Sequence, residues 1–451
     1  MAWLPTTSAA AAQVPMLFRR CLSALPSTGT RADRYCRERV RLHDHEHFFC
    51  GLLLPHQLPK EARHQADCLR AGYFALRALN IETAFALDQS YHRATRAPSS
   101  FFDPDAGELD DNALPSLDQM APLSRLWWWR ENLHAMYPSP VRPSASAFRA
   151  TLDAHLTKAS SVAPPVSTLT STAPTFPTSG PISPVAKMES MANDAELRDE
   201  ATAGSSFRSE NHPVLQAVKS AAVGGGLSRM WFVRHIEGRM RDVELGGNNI
   251  RDINELESLL EHSHASLLYL SLELLYPHAS LDSVPTPTPP SHACGPQQPS
   301  PSASGAAAVK LHAEHAASHL GKALGMVGLL RSLALHWRHR RLYLPLQICD
   351  HYKVVPERVF QEASAGKMSS EAQDVVYQIA CHAKEHLKHC QELSRQLPPV
   401  LMPAFLPALL VERLLDKLLA VQFDVFDPSL RARSPLLPIS LWLRARKGSN
   451  I

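Results

Sequence analysis

Acidic residues are missing from two long stretches of this chain. None occurs between Met1 and Ala32, and none between Glu314 and Asp350. The second gap covers the most apolar part of the sequence, so a helix formed there offers no carboxylate to a metal ion. Cysteine is also scarce, with eight in 451 residues and no CxxC pair. That scarcity argues against a disulfide framework and fits a reducing compartment. No run of about 18 uncharged apolar residues is present to span a bilayer. The nearest stretches, 265–276 and 400–411, are broken by Glu273 and by Pro403 and Pro407, and both read as buried core helices. The net charge is only +3, too small for a protein that grips nucleic acid in bulk. The period-two alternation of a half-buried strand is absent throughout, which removes the sheet-containing classes. No segment repeats another.

What is present is apolar material at helical spacing. In 64–87, Leu69, Tyr73, Leu76 and Leu79 mark one face, and Thr83 and Leu87 continue it. The same spacing predicts helices over 117–137, 214–241 (with a Gly-rich break at 224–226), 254–275, 308–337, 370–397 and 407–422. The stretch 308–337 is almost wholly apolar from Leu324 to Leu335, so it belongs at the centre of the fold. The class is all-α. Two segments interrupt it, 139–210 and 279–307. They are dominated by Pro, Ser, Thr and Ala, apart from a polar, acidic end at 187–210 and one short predicted helix at 147–158. Neither can bury enough apolar surface to offset the entropy of ordering, so both read as low-complexity insertions, with 159–186 and 283–305 expected to be disordered. The helical domain is thus predicted in three parts, 33–138, 211–278 and 308–451. Residues 1–32 place Arg19, Arg20 and Arg31 among Ala, Ser, Thr and Leu, the composition of an organellar transit peptide.

Three passages resemble the squalene/phytoene synthase family. The first is YCRERVRLHDHEHFFCGLLLP (35–55) with YFALRALNIETAFA (73–86). The second is WWWRENLHAMY (127–137) with HPVLQAV (212–218) beyond the insertion. The third is HLGKALGMVGLLRSLALHWRHRRLYLPL (319–346), whose RLYLP after a long apolar helix is the most specific piece. The resemblance implies a trans-isoprenoid synthase-type helical bundle around a central cavity. It also implies what catalysis there requires: two aspartate-rich motifs on facing helices, because Mg²⁺ is a hard ion that bridges carboxylates to phosphate oxygens. Residues four apart on a helix share a face, so each motif presents a pair.

Neither pair is present. Where the first motif should stand, the chain has Asn80 and Ala84. Glu82 is turned about 200° from Asn80, and Asp88 lies about 6 Å further along the helix than Ala84. Where the second should read RDxxED, the chain has Arg331, Ser332, Leu335 and His336, and the family's preceding Gln and Asn fall on Gly325 and Gly328. The expectation is a pseudoenzyme with no catalytic residue, no metal and no cofactor. Arg331, Arg338 and Arg341 remain as candidate anion-binding residues, expected at the cavity mouth, since guanidinium offers a fork of donors to phosphate oxygens.

Further segments resemble one branch of the family, the assembly factors of mitochondrial respiratory complex I: SLLYLSLELL (266–275), HAEHAASHLGKALG (312–325), ICDHYKV (348–354), AKEHLKH (383–389) and FDVFDPSL (423–430). This closer likeness implies a non-catalytic scaffold or chaperone whose partners are complex I subunits or other assembly factors. Lipid or the inner-membrane surface is a secondary contact, and nucleic acid is not a partner. The implied location is the mitochondrial matrix, peripheral on the inner membrane. An alternative is a module that binds an isoprenoid or phospholipid in the former active-site cavity. A third reading, a prenyl synthase working through unfamiliar ligands, requires a metal that these residues do not house.

Three histidine-rich spacings invite comparison with metal sites. His382, Glu385 and His386 spell HxxEH, a zinc-protease signature when a third ligand follows. His312, His315 and His319 fall at helical spacing, and 43–47 reads HDHEH. Each is explained as well by a solvated polar face. The tail 436–447 carries Trp442 among aliphatics and then Arg444, Arg446 and Lys447; it reads as a last helix packed on the bundle or a membrane-surface segment.

Overall fold

Thr30 starts the first helix. Its hydroxyl accepts from the Asp33 amide at 3.2 Å while the Asp33 carboxylate accepts from the Thr30 amide at 2.9 Å, so two otherwise orphaned donors are satisfied together. Helix α1 then runs Arg31–His43, starting just inside the segment read as a transit peptide. The structure, a computed structural model, describes residues 29–94, 117–137, 212–279 and 301–447, with side chains described for 29–85, 121–137, 212–279 and 305–447. The rest of the transit segment, the first insertion with its short helix at 147–158, and 280–300 of the second lie outside the described residues.

Asp44 ends α1 and precedes α2, His45–Leu53. After 3₁₀ turns come α3, Ala66–Ala94, and α4, Leu117–Ala135. The stretch 214–241 is divided at its Gly-rich break into α5, Pro213–Gly225, and α6, Arg229–Leu245, with Gly226 in the left-handed conformation. The stretch 254–275 is also divided. Helices α7, Ile253–Leu260, and α8, Ser266–Leu275, flank one π turn, Glu261–Ala265. Helix α9, Pro301–Arg338, is the longest. It begins inside the segment read as an insertion, seven residues before the boundary placed at 308. Pro at a first helical position and the run Ala306–Ala308 favour that earlier start. The chain closes with α10, Leu346–His351, α11, Pro356–Ala365, α12, Ser370–Ser394, α13, Ala408–Ala420, and α14, Leu437–Lys447. No strand occurs among the described residues, and among them no helix is long and apolar enough to cross a membrane. These helices belong to one unit of the chain. A second unit, 102–114 and 135–208, lies almost wholly outside the described residues.

Helix α9 is the axis of this unit. It packs along α12 and also meets the π turn, α8 and α13. Leu320, Met326, Leu330, Leu333 and Trp337 on it are fully buried. It comes very near the π turn, where a Cβ on Gly321 would sit 2.5 Å from the Cα of Ala265. Only glycine allows two backbones that near.

The RLYLP segment, the most specific motif of the sequence, clasps α9 to the loop between α6 and α7. The Tyr343 amide donates to Gly247 O at 2.6 Å, the Leu342 amide to Asn248 Oδ1 at 2.8 Å, and the Leu346 amide to Ile250 O at 2.8 Å. Trp337 Nε1 donates to Leu342 O at 2.9 Å, and Tyr343 Oη donates to the buried Asp242 at 2.7 Å. Arg340 and Tyr343 take positive φ to make the turn, a strain held by these bonds.

Candidate functional site

A cavity of about 620 Å³ opens among α2, α3, α8, α9 and α13. Its walls are apolar where Ile81, Phe85, Leu268, Leu324, Val327 and Leu410 face it. Asn80 and Ala84, the positions of the first expected motif, line it from α3, and Arg331 lines it from α9. Ser332 and His336 are not among its lining residues.

At each expected motif position, the described side chain is engaged or has no donor to offer. Asn80 Oδ1 accepts from Arg239 Nη2 at 2.8 Å, and Ala84 has no polar atom. Glu82, turned off that face, receives Arg39 Nε of α1 at 2.9 Å. Ser332 Oγ donates to Gly328 O at 2.9 Å and lies 3.0 Å from His336 Nε2. The His336 ring also packs against Tyr343, with centroids 4.5 Å apart. Burial, with Arg341 and His339 nearby, pushes the His336 pKa down to about 4, so the ring is neutral at ordinary pH. Among the described residues no three His, Cys, Asp or Glu side chains are arranged to hold a metal ion. The Mg²⁺ that the bundle's chemistry would call for needs paired carboxylates, and the donor set at these four positions does not fit it.

Two carboxylates at the cavity are held by arginines. Asp44 Oδ2 accepts from Arg77 Nε at 2.9 Å and Asp44 Oδ1 from His47 Nδ1 at 2.9 Å. Burial opposes the Asp44 charge, but Arg77 and His47 outweigh it and hold the carboxyl well below the usual range. Glu46 accepts from Arg331 Nη1 at 2.8 Å, a pair about a third exposed on each side. The α3 wall of the cavity is braced behind Asn80. There Thr83 Oγ1 donates to Leu79 O at 3.0 Å and lies 3.1 Å from Nε2 of the fully buried His235, whose Nδ1 donates to Ser263 O of the π turn at 2.8 Å. Burial and the nearby Arg239 lower the His235 pKa to about 3.

The three arginines read as an anion cluster do not converge on the cavity. Arg331 lines it, but Arg338 is exposed and Arg341 Nη1 reaches Tyr343 Oη at 3.4 Å. Arg338 lies two turns beyond Arg331, about 10 Å along the axis, and the turn at Arg340 then carries the chain away. The cavity's other cations are Arg77 on α3 and Arg413 and Lys417 on α13. Sequence reasoning misses the last two, although their spacing of four among Leu410 and Leu414 puts them on one helix face.

The histidine runs are not simply solvated. His319 Nδ1 lies 2.8 Å from His386 Nδ1 and His319 Nε2 lies 3.2 Å from His315 Nε2, while His386 Nε2 reaches Glu257 Oε1 at 3.1 Å. The cluster ties α9 to α12 and α7. His382 sits 3.9 Å from Glu385.

The helical bundle, its cavity between α3 and α9 and the RLYLP clasp define a class. Residues 179–440 match the squalene/phytoene synthase family, and the chain belongs to that family. Two curated relatives refine the comparison. The NADH dehydrogenase (ubiquinone) complex I, assembly factor 6 of Bos taurus is 26% identical over 424 residues, 94% of this chain and 84% of that protein. The protein of the same name from Mus musculus is 32% identical over 236 residues, 52% of this chain and 60% of its own. Among solved structures, a dehydrosqualene synthase in complex with ligand is similar with a TM-score of 0.50 at 12% identity, covering 95% of this chain and 98% of its own. That likeness shows the all-α fold.

Proposed function

We propose that this chain is a non-catalytic factor in the assembly of mitochondrial respiratory complex I, a pseudoenzyme of its family working in the matrix or on the inner membrane. Its partners are then complex I subunits or other assembly factors. The observation that carries the reading is the state of the two motif positions. Asn80 is taken by Arg239, Ala84 has no donor, and Ser332 and His336 contact each other. A site so arranged has no carboxylate pair to present to a metal–diphosphate. The likeness to proteins named for complex I assembly, along most of the chain in the bovine case, supports the same reading.

The test is genetic and biochemical together. Cells lacking the protein are expected to lose assembled complex I on native gels while the other respiratory complexes stay near normal. A chain carrying Ser332→Ala and His336→Ala should restore it. The purified protein with Mg²⁺ should release no pyrophosphate from farnesyl diphosphate above a blank. Normal complex I in the null cells would overturn the assembly role, and strict dependence on His336 would return chemistry to the site.

A further inference from the structure

Four imidazoles meet on the seam between α9 and α12, and none of them lines the cavity. His315 and His319 stand four apart on α9 and share a face. His386 and His389 stand three apart on α12. His315 and His389 are exposed, while His319 and His386 are half-buried. The His319 ring has its centroid 4.9 Å from that of His315 and 5.1 Å from those of His386 and His389. The nearest ammonium, Lys322, is matched by two carboxylates, Glu257 at 3.3 Å and Glu261 at 3.4 Å.

The protons of this cluster follow from its α7 end. Burial opposes the charge of Glu257, but His386 and Lys322 outweigh it and hold the carboxyl below its usual range. A carboxylate only accepts, so His386 Nε2, 3.1 Å from Glu257 Oε1, is the donor. A neutral His386 then has its lone pair at Nδ1, and His319 Nδ1, 2.8 Å away, donates to it. A neutral His319 in turn has its lone pair at Nε2, facing His315 Nε2 at 3.2 Å. Metal-binding imidazoles are oriented in this way, by a carboxylate that takes the proton of the other ring nitrogen; here one further ring relays it.

A second, independent observation is the spacing. Two nitrogens each about 2.0–2.1 Å from a tetrahedral zinc ion stand about 3.3–3.4 Å apart, and His315 Nε2 and His319 Nε2 are 3.2 Å apart. A tilt of either ring and a shift of the His315 proton to Nδ1 would aim both lone pairs at one ion. That makes two ligands, and among the described residues no third stands in place. His389, exposed on the facing helix with its ring edge-on to that of His319, is the side chain that can complete the set by rotation.

We propose that the α9–α12 seam binds one divalent transition-metal ion of the zinc class: His315 and His319 ligate through Nε2, His389 turns in as the third ligand, water fills the fourth position, and His386 with Glu257 orients His319. The ion would staple the axial helix to α12. The site rests on neither the cavity nor the assembly role.

The test is titration of the full chain, free of any tag, with ZnCl₂ at neutral pH by calorimetry. A parallel titration with Co²⁺ follows its visible absorption, which strengthens on four-coordination. One ion per chain is expected, undisturbed by excess Mg²⁺, because imidazole suits zinc and not the hard ion. Zinc should also raise the melting temperature, since only the folded chain presents the site. Glu257→Gln should weaken binding about tenfold or more and shift the cobalt bands. His315→Ala and His389→Ala change exposed side chains, so both variants should fold, and each should weaken binding at least as much. Unaltered affinity and bands in Glu257→Gln would overturn the relay. Binding lost in His315→Ala but unchanged in His389→Ala would mark a chelate on α9 alone and overturn the seam site. No binding, or binding indifferent to His315→Ala, would overturn the proposal entirely.

Discussion

Asp44 ends one helix and precedes the next, and its carboxylate takes both the Arg77 guanidinium and the His47 imidazole. The Asp44 and Arg77 side chains keep only 16% and 14% of their surface, so this pair is poorly screened. Removing its negative member leaves a buried cation unpaired. Asp44→Asn is expected to cost about 3 kcal/mol in chemical denaturation, the low end for a broken buried pair because the cavity admits water. A loss under about 1 kcal/mol would mean that Arg77 finds another partner. The Glu46–Arg331 pair, at 34% and 40% exposed, is a different case, and Glu46→Gln should change stability little. The motif comparison put Asn80 and Ala84 on one face of α3, and both line the cavity. It did not reveal Arg413 and Lys417. Their shared face is plain from spacing, but which face meets the cavity depends on how α13 and the turn at 428–431 pack, and that is tertiary.

At the scale of elements, periodicity locates the long helices among the described residues, since apolar residues at three and four apart need a helix to meet one core. The π turn at 261–265 is invisible to it. One extra residue in the helical ladder shifts the face of everything after it without changing composition. The early start of α9 is hidden for the opposite reason, because Pro, Ser, Gly and Ala there read as an insertion although Pro and Ala also start helices well. Helix α9 offers a paired experiment. Gly321→Ala and Gly328→Ala each gain about 1 kcal/mol of helix propensity. At Gly321 the new methyl collides with the backbone of Ala265, so a net loss of about 1–3 kcal/mol is expected. At Gly328 it meets open space, and the melting temperature should rise. Thermal unfolding of the two variants beside the parent checks the contrast; two changes of the same sign would contradict it.

For the whole molecule, acid is the natural denaturant. The folded pKa of His235 is about 3, and those of His319 and His336 are about 4, each depressed by burial first, against about 6.5 for an exposed ring. A base whose folded pKa is lowered is protonated more readily when unfolded. Stability is therefore full above about pH 6.5 and falls as pH drops toward the folded values. Asp44, also depressed, adds to the loss only below the ordinary carboxylate range. For the fully buried His235 the slope is about 1.4 kcal/mol per pH unit within that window. Guanidinium midpoints measured at pH 7, 6 and 5 should decline stepwise, and a flat profile would show that these rings gain protons without unfolding.

The RLYLP clasp has a consequence in time rather than in energy. Its bonds join residues 94 and 101 positions apart, and closing so long a loop is slow because entropy is lost before the contacts form. A chain made or delivered from its N-terminus has α1 to α8 in hand, with their apolar faces formed, well before residue 343 arrives. Until α9 itself is in place, the groove it fills is open to water and to other chains. The protein's early life is thus spent as an incomplete bundle, in which holding chaperones or swift delivery of the C-terminal third decides between folding and aggregation.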